Sequence, residues 1–228
     1  MELLGTSNGP LEVWLDGKPV LKREKGQEFR IDSDRSTVTI PAGENRLSVR
    51  LGAIAESPGE FQLRFRRKSA TQAHEKLMAA AIARAGNVEQ GKQVFQNIEK
   101  TLCLKCHRVQ DQGEKTGPEL TGLGSRFSRI YIAESILDPN RAIAPSFGTI
   151  VVRLDSGQVV SGIKIVESET AFTLVDNLAQ KHVIAKVDIE EQKTSPLSTM
   201  PEGLEKKLSE SEFVDLVAYL SSLKESKP

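Results

Sequence analysis

The sequence has few cysteines and aromatic residues, no excess of either charge and no long apolar run. Among its 228 residues there are two cysteines and one tryptophan, and aromatic residues make up 5% of the chain. The 31 basic and 31 acidic residues cancel, which argues against nucleic acid as a partner and against a polybasic membrane patch. No apolar run approaches the roughly 20 residues that a membrane span needs. The length allows one large domain or two to three small ones.

Both cysteines lie in one short segment, Cys103-Leu104-Lys105-Cys106-His107. The order C-x-x-C-H is typical of covalent haem attachment, because two thiols add to the vinyl groups of haem and the adjacent histidine becomes the proximal iron ligand. A redox dithiol is one alternative, but it belongs to a thioredoxin-like βαβ pattern that does not surround this segment. A structural zinc site is another, but it needs four ligands and the chain has no second Cys/His cluster. The segment therefore predicts one covalent haem c.

Residues 1–69 predict an antiparallel β-sandwich. Asp16-Gly17 is a hairpin-type turn, and apolar residues alternate with polar ones in four short runs. The pattern is similar to the closing strands of jelly-roll, carbohydrate-binding-like modules, and Trp14 could stack on a sugar. A tryptophan of this kind is more often half-buried core, which is the interpretation that we favour. The alternating residues are Val13 and Leu15; Val38 and Ile40; Leu47, Val49 and Leu51; and Phe61, Leu63 and Phe65.

Residues 70–86 predict a connector helix between two domains, running from Thr71 to a terminal glycine, Gly86. A second helix begins at Asn87, and another begins near the C-terminus at Ser209, each with a capping-box partner three positions later. Both carry one apolar stripe. Residues 127–138 predict a further helix that ends at Asp138-Pro139-Asn140.

A haem iron with two axial ligands needs a second donor, and Met200 is the best candidate. It lies in a loop without an apolar stripe, and Pro201 favours an extended backbone at Met200. His107 and Met200 are thus the predicted metal ligands, a pair that cytochromes c use to raise their potential. The other candidates have ordinary explanations in a helix core, on a helix surface or in a strand, and they are Met78, His74 and His182.

Between the two predicted ligands, residues 146–194 predict a small β-barrel-like insert. Four or five short strands with turn residues between them follow one another at regular spacing. The predicted strands contain Ile150, Val152 and Leu154; residues 159–166; residues 172–175; and residues 183–187.

The motifs together resemble the class I cytochrome c-like haem-binding domain of planctomycete and verrucomicrobial multidomain proteins. The resemblance covers residues 87 to about 226, and Ser198-Thr199-Met200 stands where the family often has Ser-Leu-Met. The motifs are residues 103–107, Gly117-Pro118-Glu119-Leu120, residues 135–139, the hairpin of residues 155–162, Met200-Pro201-Glu202-Gly203-Leu204 and residues 216–220.

The resemblance implies how the haem site is supported. The first and last helices of the haem domain cross, with Gly91 close to Tyr219 or Leu216. The carbonyl of Pro118 accepts the Nδ1 proton of His107, which fixes the imidazole ring. By analogy with arginine at carboxylates, Arg126 is a candidate partner of the haem propionates, as is Tyr131, although an arginine near a helix start is as often solvated or capping.

The predicted fold class is therefore α+β and multidomain. It comprises a sandwich (1–69), a connector helix (70–86) and an all-α cytochrome c fold (87–145 and 195–228) that is interrupted by the insert (146–194). The predicted function is electron transfer, as a carrier rather than an enzyme, with a redox partner protein or a fused dehydrogenase domain as partner. A haem-based gas sensor or peroxidase-like enzyme with a displaceable distal ligand is the alternative.

The predicted location is periplasmic or otherwise extracytoplasmic, because haem c is attached outside the cytoplasm. Residues 1–5 have neither the positive charge nor the apolar stretch of a secretory signal. We therefore expect the chain to be a piece of a longer exported oxidoreductase.

Overall fold

The computed structural model describes residues 1–52, 58–69 and 71–224. They form two compact units, Met1–Glu75 and Lys76–Pro228. Helices and several separate β-sheets are both present, so the protein is a mixed α/β, multidomain-like chain. Within the described ranges, no helix has the length and hydropathy of a membrane span.

The first unit is built on two three-stranded antiparallel sheets that share one hydrophobic core. The core combines Leu3 of one sheet with Leu11, Val13 and Leu15 of the other. The sheet orders are β4-β1-β6 and β3-β2-β5. The strands are β1 (Glu2–Ser7), β2 (Leu11–Leu15), β3 (Lys18–Arg23), β4 (Asp34–Thr37), β5 (Leu47–Leu51) and β6 (Phe61–Arg66).

Two expectations for this unit are wrong. The strand predicted at Val38 and Ile40 lies earlier, at β4, and Val38 follows it as a buried residue whose N–H donates to the Met1 carbonyl at 2.9 Å. Trp14 is half-buried, as expected, but it does not belong to the core cluster of this unit. Successive side chains of a strand point to opposite faces, so the buried Val13 and Leu15 place Trp14 on the outer face of β2, where the Arg50 guanidinium lies 5.3 Å from its ring. A carbohydrate contact by Trp14 stays a prediction.

The connector helix, α1 (Gln72–Ala83), ends three residues before the predicted Gly86, and residue 70 of its predicted range lies outside the described residues. The guanidinium of Arg129 explains the end, because it donates to the carbonyls of Arg84 and Ala85 at 3.0 and 2.9 Å and to that of Ala81. A cationic side chain that binds the last carbonyls satisfies the acceptors that a helix C-terminus leaves free.

The second unit contains a helical core and a five-stranded sheet. The helices after α1 are α2 (Val88–Gln96), α3 (Cys103–Cys106), α4 (Leu123–Arg126), α5 (Arg129–Leu137) and α6 (Glu210–Ser222). The strands are β7 (Arg108–Val109) and β8 (Gln112–Gly113), which pair as a short hairpin, followed by β9 (Thr149–Leu154), β10 (Val159–Glu167), β11 (Ala171–Val175), β12 (Lys181–Ala185) and β13 (Ile189–Ser195).

Helices α2 and α6 cross at Gly91, as predicted. A Cβ atom added at Gly91 would lie 1.9 Å from the Asp215 carbonyl oxygen and 2.8 Å from the Tyr219 Cβ. The Phe95 and Tyr219 rings pack one turn further along, with centroids 5.4 Å apart. Since only glycine permits such a close approach of backbones, Gly91 fixes the place of the crossing.

The starts of both crossing helices are capped by side chains of their own N-cap residues. The side chain of Asn87 accepts from the Gln90 N–H at 3.0 Å at the start of α2. At the start of α6, Ser209 and Glu212 form both bonds of a capping box. These caps satisfy N–H groups that would otherwise have no partner.

The five strands of the insert form one antiparallel sheet in the order β12-β11-β10-β9-β13. The predicted strand 183–187 is displaced to β12, and a 3-10 turn at Lys186–Asp188 follows it. The last strand, β13, was not predicted in detail because most of its residues are polar and exposed. It pairs with β9 so that Ser195 lies opposite Thr149. The insert therefore ends beside the point where it begins; that it closes into a barrel stays a prediction.

We expect Gly91→Ala to destabilise the second unit by about 2–3 kcal/mol, because the new methyl group meets backbone that cannot move aside, as in other overpacked sites. Chemical unfolding followed by circular dichroism measures the loss. Gly148→Ala is the matched control, since its Cβ would meet nothing nearer than 3.8 Å. Equal stability of the two variants would contradict the close crossing.

The capping glutamate predicts a pH dependence. The Lys100 ammonium, together with the Ser209 N–H, lowers the pKa of Glu212 from 4.5 to about 2. The carboxylate therefore stabilises the fold above pH 4.5, and this contribution is lost as the pH falls towards 2. We expect Glu212→Gln to cost about 0.5 kcal/mol at pH 7, a value discounted for solvent screening, and almost nothing near pH 2. Unfolding measured against pH would contradict this if the cost were constant, with Glu169→Gln as the control.

Candidate functional site

The two cysteines and the histidine are held on one helical turn. Helix α3 begins after Leu102, which has a left-handed backbone (φ 59°), and ends at His107, whose N–H donates to the Cys103 carbonyl at 2.8 Å. Residues three apart on a helix are neighbours on its surface, so the turn places Cys103 beside Cys106. Both are free thiols.

The loop after α3 fixes the imidazole of His107. Its Nδ1 atom lies 2.8 Å from the Pro118 carbonyl oxygen. Because a carbonyl only accepts hydrogen bonds, this contact assigns the ring proton to Nδ1 and leaves the lone pair on Nε2 available to a metal. Gly117 packs against the ring, since a Cβ there would lie 2.9 Å from Cε1 and 3.0 Å from Nδ1 of His107. The bond between His107 Nδ1 and the Pro118 carbonyl is the contact that the resemblance implied.

Burial sets the protonation of the three side chains. It lowers the pKa of His107, although the Pro118 carbonyl and Glu119 oppose the shift, so the neutral ring is favoured. Burial raises the pKa of the Cys103 thiol. It also raises that of Cys106, with the nearby carboxylates of Asp176 and Glu114 adding to the effect.

These shifts separate the alternatives for the C-x-x-C segment. A redox dithiol works through a thiolate of lowered pKa, whereas both thiols here shift in the opposite direction. A structural zinc ion needs four donors. In residues 1–52, 58–69 and 71–224, no group of three or more His, Cys, Asp or Glu side chains is placed to hold a metal ion. Two adjacent free thiols and one oriented histidine are the groups that covalent haem attachment uses.

The structure places Met200 in a loop that follows β13. Its side chain is half-buried, and its N–H donates to the Ser198 Oγ at 3.1 Å. The other internal methionine, Met78, packs in the core at 2% exposure, as expected. His182 is bound to the Asp176 carboxylate at 2.8 Å, which gives it a local partner within the insert.

The two propionate candidates have partners of their own. Arg126 is exposed and donates to the carbonyls of Glu119 and Thr121 at 2.9 and 3.2 Å, so it braces the loop that carries Pro118. The Tyr131 ring stacks on Phe127 at 4.7 Å between centroids. A propionate contact by either residue stays a prediction.

A cleft of about 460 Å³ lies beside α3, and no motif in the sequence predicts it. One wall contains Lys105 and Thr116, and the other is the turn between β11 and β12, including Leu178 and Lys181. The insert thus reaches the neighbourhood of the C-x-x-C segment. The sequence contains no local signal for this cleft, because the geometry of the sheet brings the β11–β12 turn close to the C-x-x-C segment.

Comparison with known proteins finds a family match for part of the second unit. No curated protein matches the chain. Residues 88–158 match the Cytochrome c family, a stretch that runs from α2 through Cys103, Cys106, His107 and Pro118 to the turn after β9. Met200 and α6 lie beyond the matched residues. The match supports a cytochrome c-like haem-binding domain with an electron-transfer function, and the family carries covalently bound haem c.

Proposed function

We propose that residues 87–145 and 195–228 carry one haem c and transfer one electron at a time, with His107 and Met200 as the axial ligands. The observation that carries the proposal is the contact between His107 and Pro118. It leaves Nε2 free to bind a metal on a segment that also presents two free thiols. This donor set and its orientation suit a proximal haem ligand.

Each residue has a defined role in the proposal. Cys103 and Cys106 would anchor the haem through thioether bonds, and His107 would bind the iron through Nε2. Met200 would supply a thioether sulfur as the second iron ligand, which would raise the reduction potential. The bound haem supplies the one-electron chemistry, while the protein supplies ligand identity, burial and hydrogen bonds that set the potential.

The wider setting is proposed from the resemblance to planctomycete and verrucomicrobial multidomain proteins. In that setting the chain acts outside the cytoplasm, as cytochrome c domains typically do. It also belongs to a larger exported oxidoreductase. Its partner is then a redox protein or a fused dehydrogenase domain. The carrier role requires that the distal ligand stays bound during turnover, which distinguishes it from a gas sensor or a peroxidase-like enzyme.

The proposal predicts the spectrum of Met200→Ala. We expect the wild-type protein, exported and matured with haem, to show the Met–iron charge-transfer band in its oxidised form. The variant should lose the band and have a lower reduction potential, while a pyridine haemochrome assay shows the haem still attached.

Met78→Ala is the control for this substitution, because Met78 packs in the core. It should keep the band even if it lowers stability. A band that is absent from the wild type, or that survives in Met200→Ala, would refute the ligand assignment. Rapid stoichiometric binding of carbon monoxide to the reduced wild type would favour the sensor or enzyme instead.

The proximal side makes a separate prediction for Gly117→Ala. The added methyl group would press on the His107 ring and loosen its bond to the Pro118 carbonyl. Since that bond raises the basicity of the ligand, we expect an altered reduction potential and altered ferric electron paramagnetic resonance with haem still attached. Gly148→Ala should leave both at wild-type values, and a Gly117→Ala spectrum identical to wild type would contradict the role of this contact.

A further inference from the structure

We infer that Asn140 and Thr149 clamp the loop of residues 198–202 and thereby position Met200 as the distal ligand. The inference deepens the proposed function and rests on it. Neither residue belongs to the haem-attachment segment: Asn140 follows α5, and Thr149 is the first residue of β9 in the insert.

Asn140 bridges the two sides of the Met200 loop. Its Oδ1 accepts from the Ser198 N–H at 2.7 Å, and its Nδ2 donates to the Glu202 carboxylate. The partners fix the orientation of the amide, since a backbone N–H needs an acceptor and a carboxylate needs a donor. Ser198 and Glu202 lie two positions before and two positions after Met200, so one side chain spans the ligand.

On one side, the clamp is attached through Asn140 to the end of helix α5. The residue follows the end of α5, where Arg141 binds the buried Glu134 of that helix at 3.0 Å. On the other side, Leu204–Lys207 forms a 3-10 turn that contacts α5. Movement of the loop between these points would require breaking the Asn140 bonds.

Thr149 adds a third attachment from the insert. Its hydroxyl lies 2.8 Å from that of Thr199, the residue before Met200, and the two residues are only 5% and 7% exposed. Thr149 is the first residue of β9 and pairs with Ser195 of β13. The pairing of β9 with β13 and the Thr149–Thr199 contact together hold the Met200 loop close to the start of β9.

The clamp has a measurable consequence because a thioether binds ferric iron weakly and competes with added ligands. A loop held in place keeps the sulfur at the iron at little entropic cost, whereas a loosened loop lets an external ligand replace it. We therefore expect the affinity of the oxidised protein for added imidazole to report on the clamp.

Asn140→Asp keeps the acceptor for the Ser198 N–H but loses the donor to Glu202. It also places a second carboxylate next to that of Glu202. We expect about tenfold tighter imidazole binding and a weaker Met–iron band, in line with the loss of one hydrogen bond to a charged group. Glu202→Gln alone should resemble the wild type. The double substitution Asn140→Asp with Glu202→Gln restores a donor–acceptor pair with exchanged positions, and it should recover the wild-type imidazole affinity. Asn177→Ala, in the exposed turn after β11, is the control.

Thr149→Val tests the insert separately, with Thr173→Val on β11 as its control. Tighter imidazole binding in Thr149→Val but not in Thr173→Val supports the role of Thr149 in holding the Met200 loop. Wild-type affinity and band in both Asn140→Asp and Thr149→Val would overturn the clamp and leave the Met200 assignment intact. A wild-type protein without the band, unchanged by Met200→Ala, would overturn the ligand assignment and the clamp together.

Discussion

The pairing of β13 with β9 is the constraint on which the second unit depends. A chain that leaves a helical domain to build a sheet must return near its point of departure if the domain is to remain one body. The register that sets Ser195 opposite Thr149 accomplishes this. As a result, the segment that carries Met200 resumes beside the end of α5, and α6 can complete the crossing with α2.

The proximal side of the site depends on short-range structure instead. One turn of helix, the half-buried imidazole of His107 and the Gly117-Pro118 loop all lie between Cys103 and Pro118, separated only by the short β7–β8 hairpin. The proximal side is therefore encoded within about fifteen residues, while the proposed distal side depends on a long excursion and on Asn140. This asymmetry fits a family match that includes His107 and stops before Met200.

Local signals in the sequence were sufficient for some features and not for others. The N-caps at Asn87 and Ser209 follow from residue type and spacing, and the structure has both. The close approach at Gly91 was implied by the resemblance rather than by the local pattern, and the structure has it as well. The end of α1 could not be predicted, because Arg129 reaches it from a distant position. Strand β13 was obscured by its polar residues, since it is held by backbone pairing to β9 rather than by a buried apolar face. The bonds of Asn140 likewise join it to residues 58 and 62 positions further along the chain, so no local pattern predicts them.

The most direct test of the central claim is the nuclear magnetic resonance of methionine methyl groups in the reduced, haem-loaded protein. The chain has three methionines, so selective labelling gives three signals. The account predicts that one signal is shifted far upfield by the ring current of the haem and that this signal is missing from Met200→Leu. Three signals at ordinary positions, or an upfield signal that persists in the variant, would contradict it.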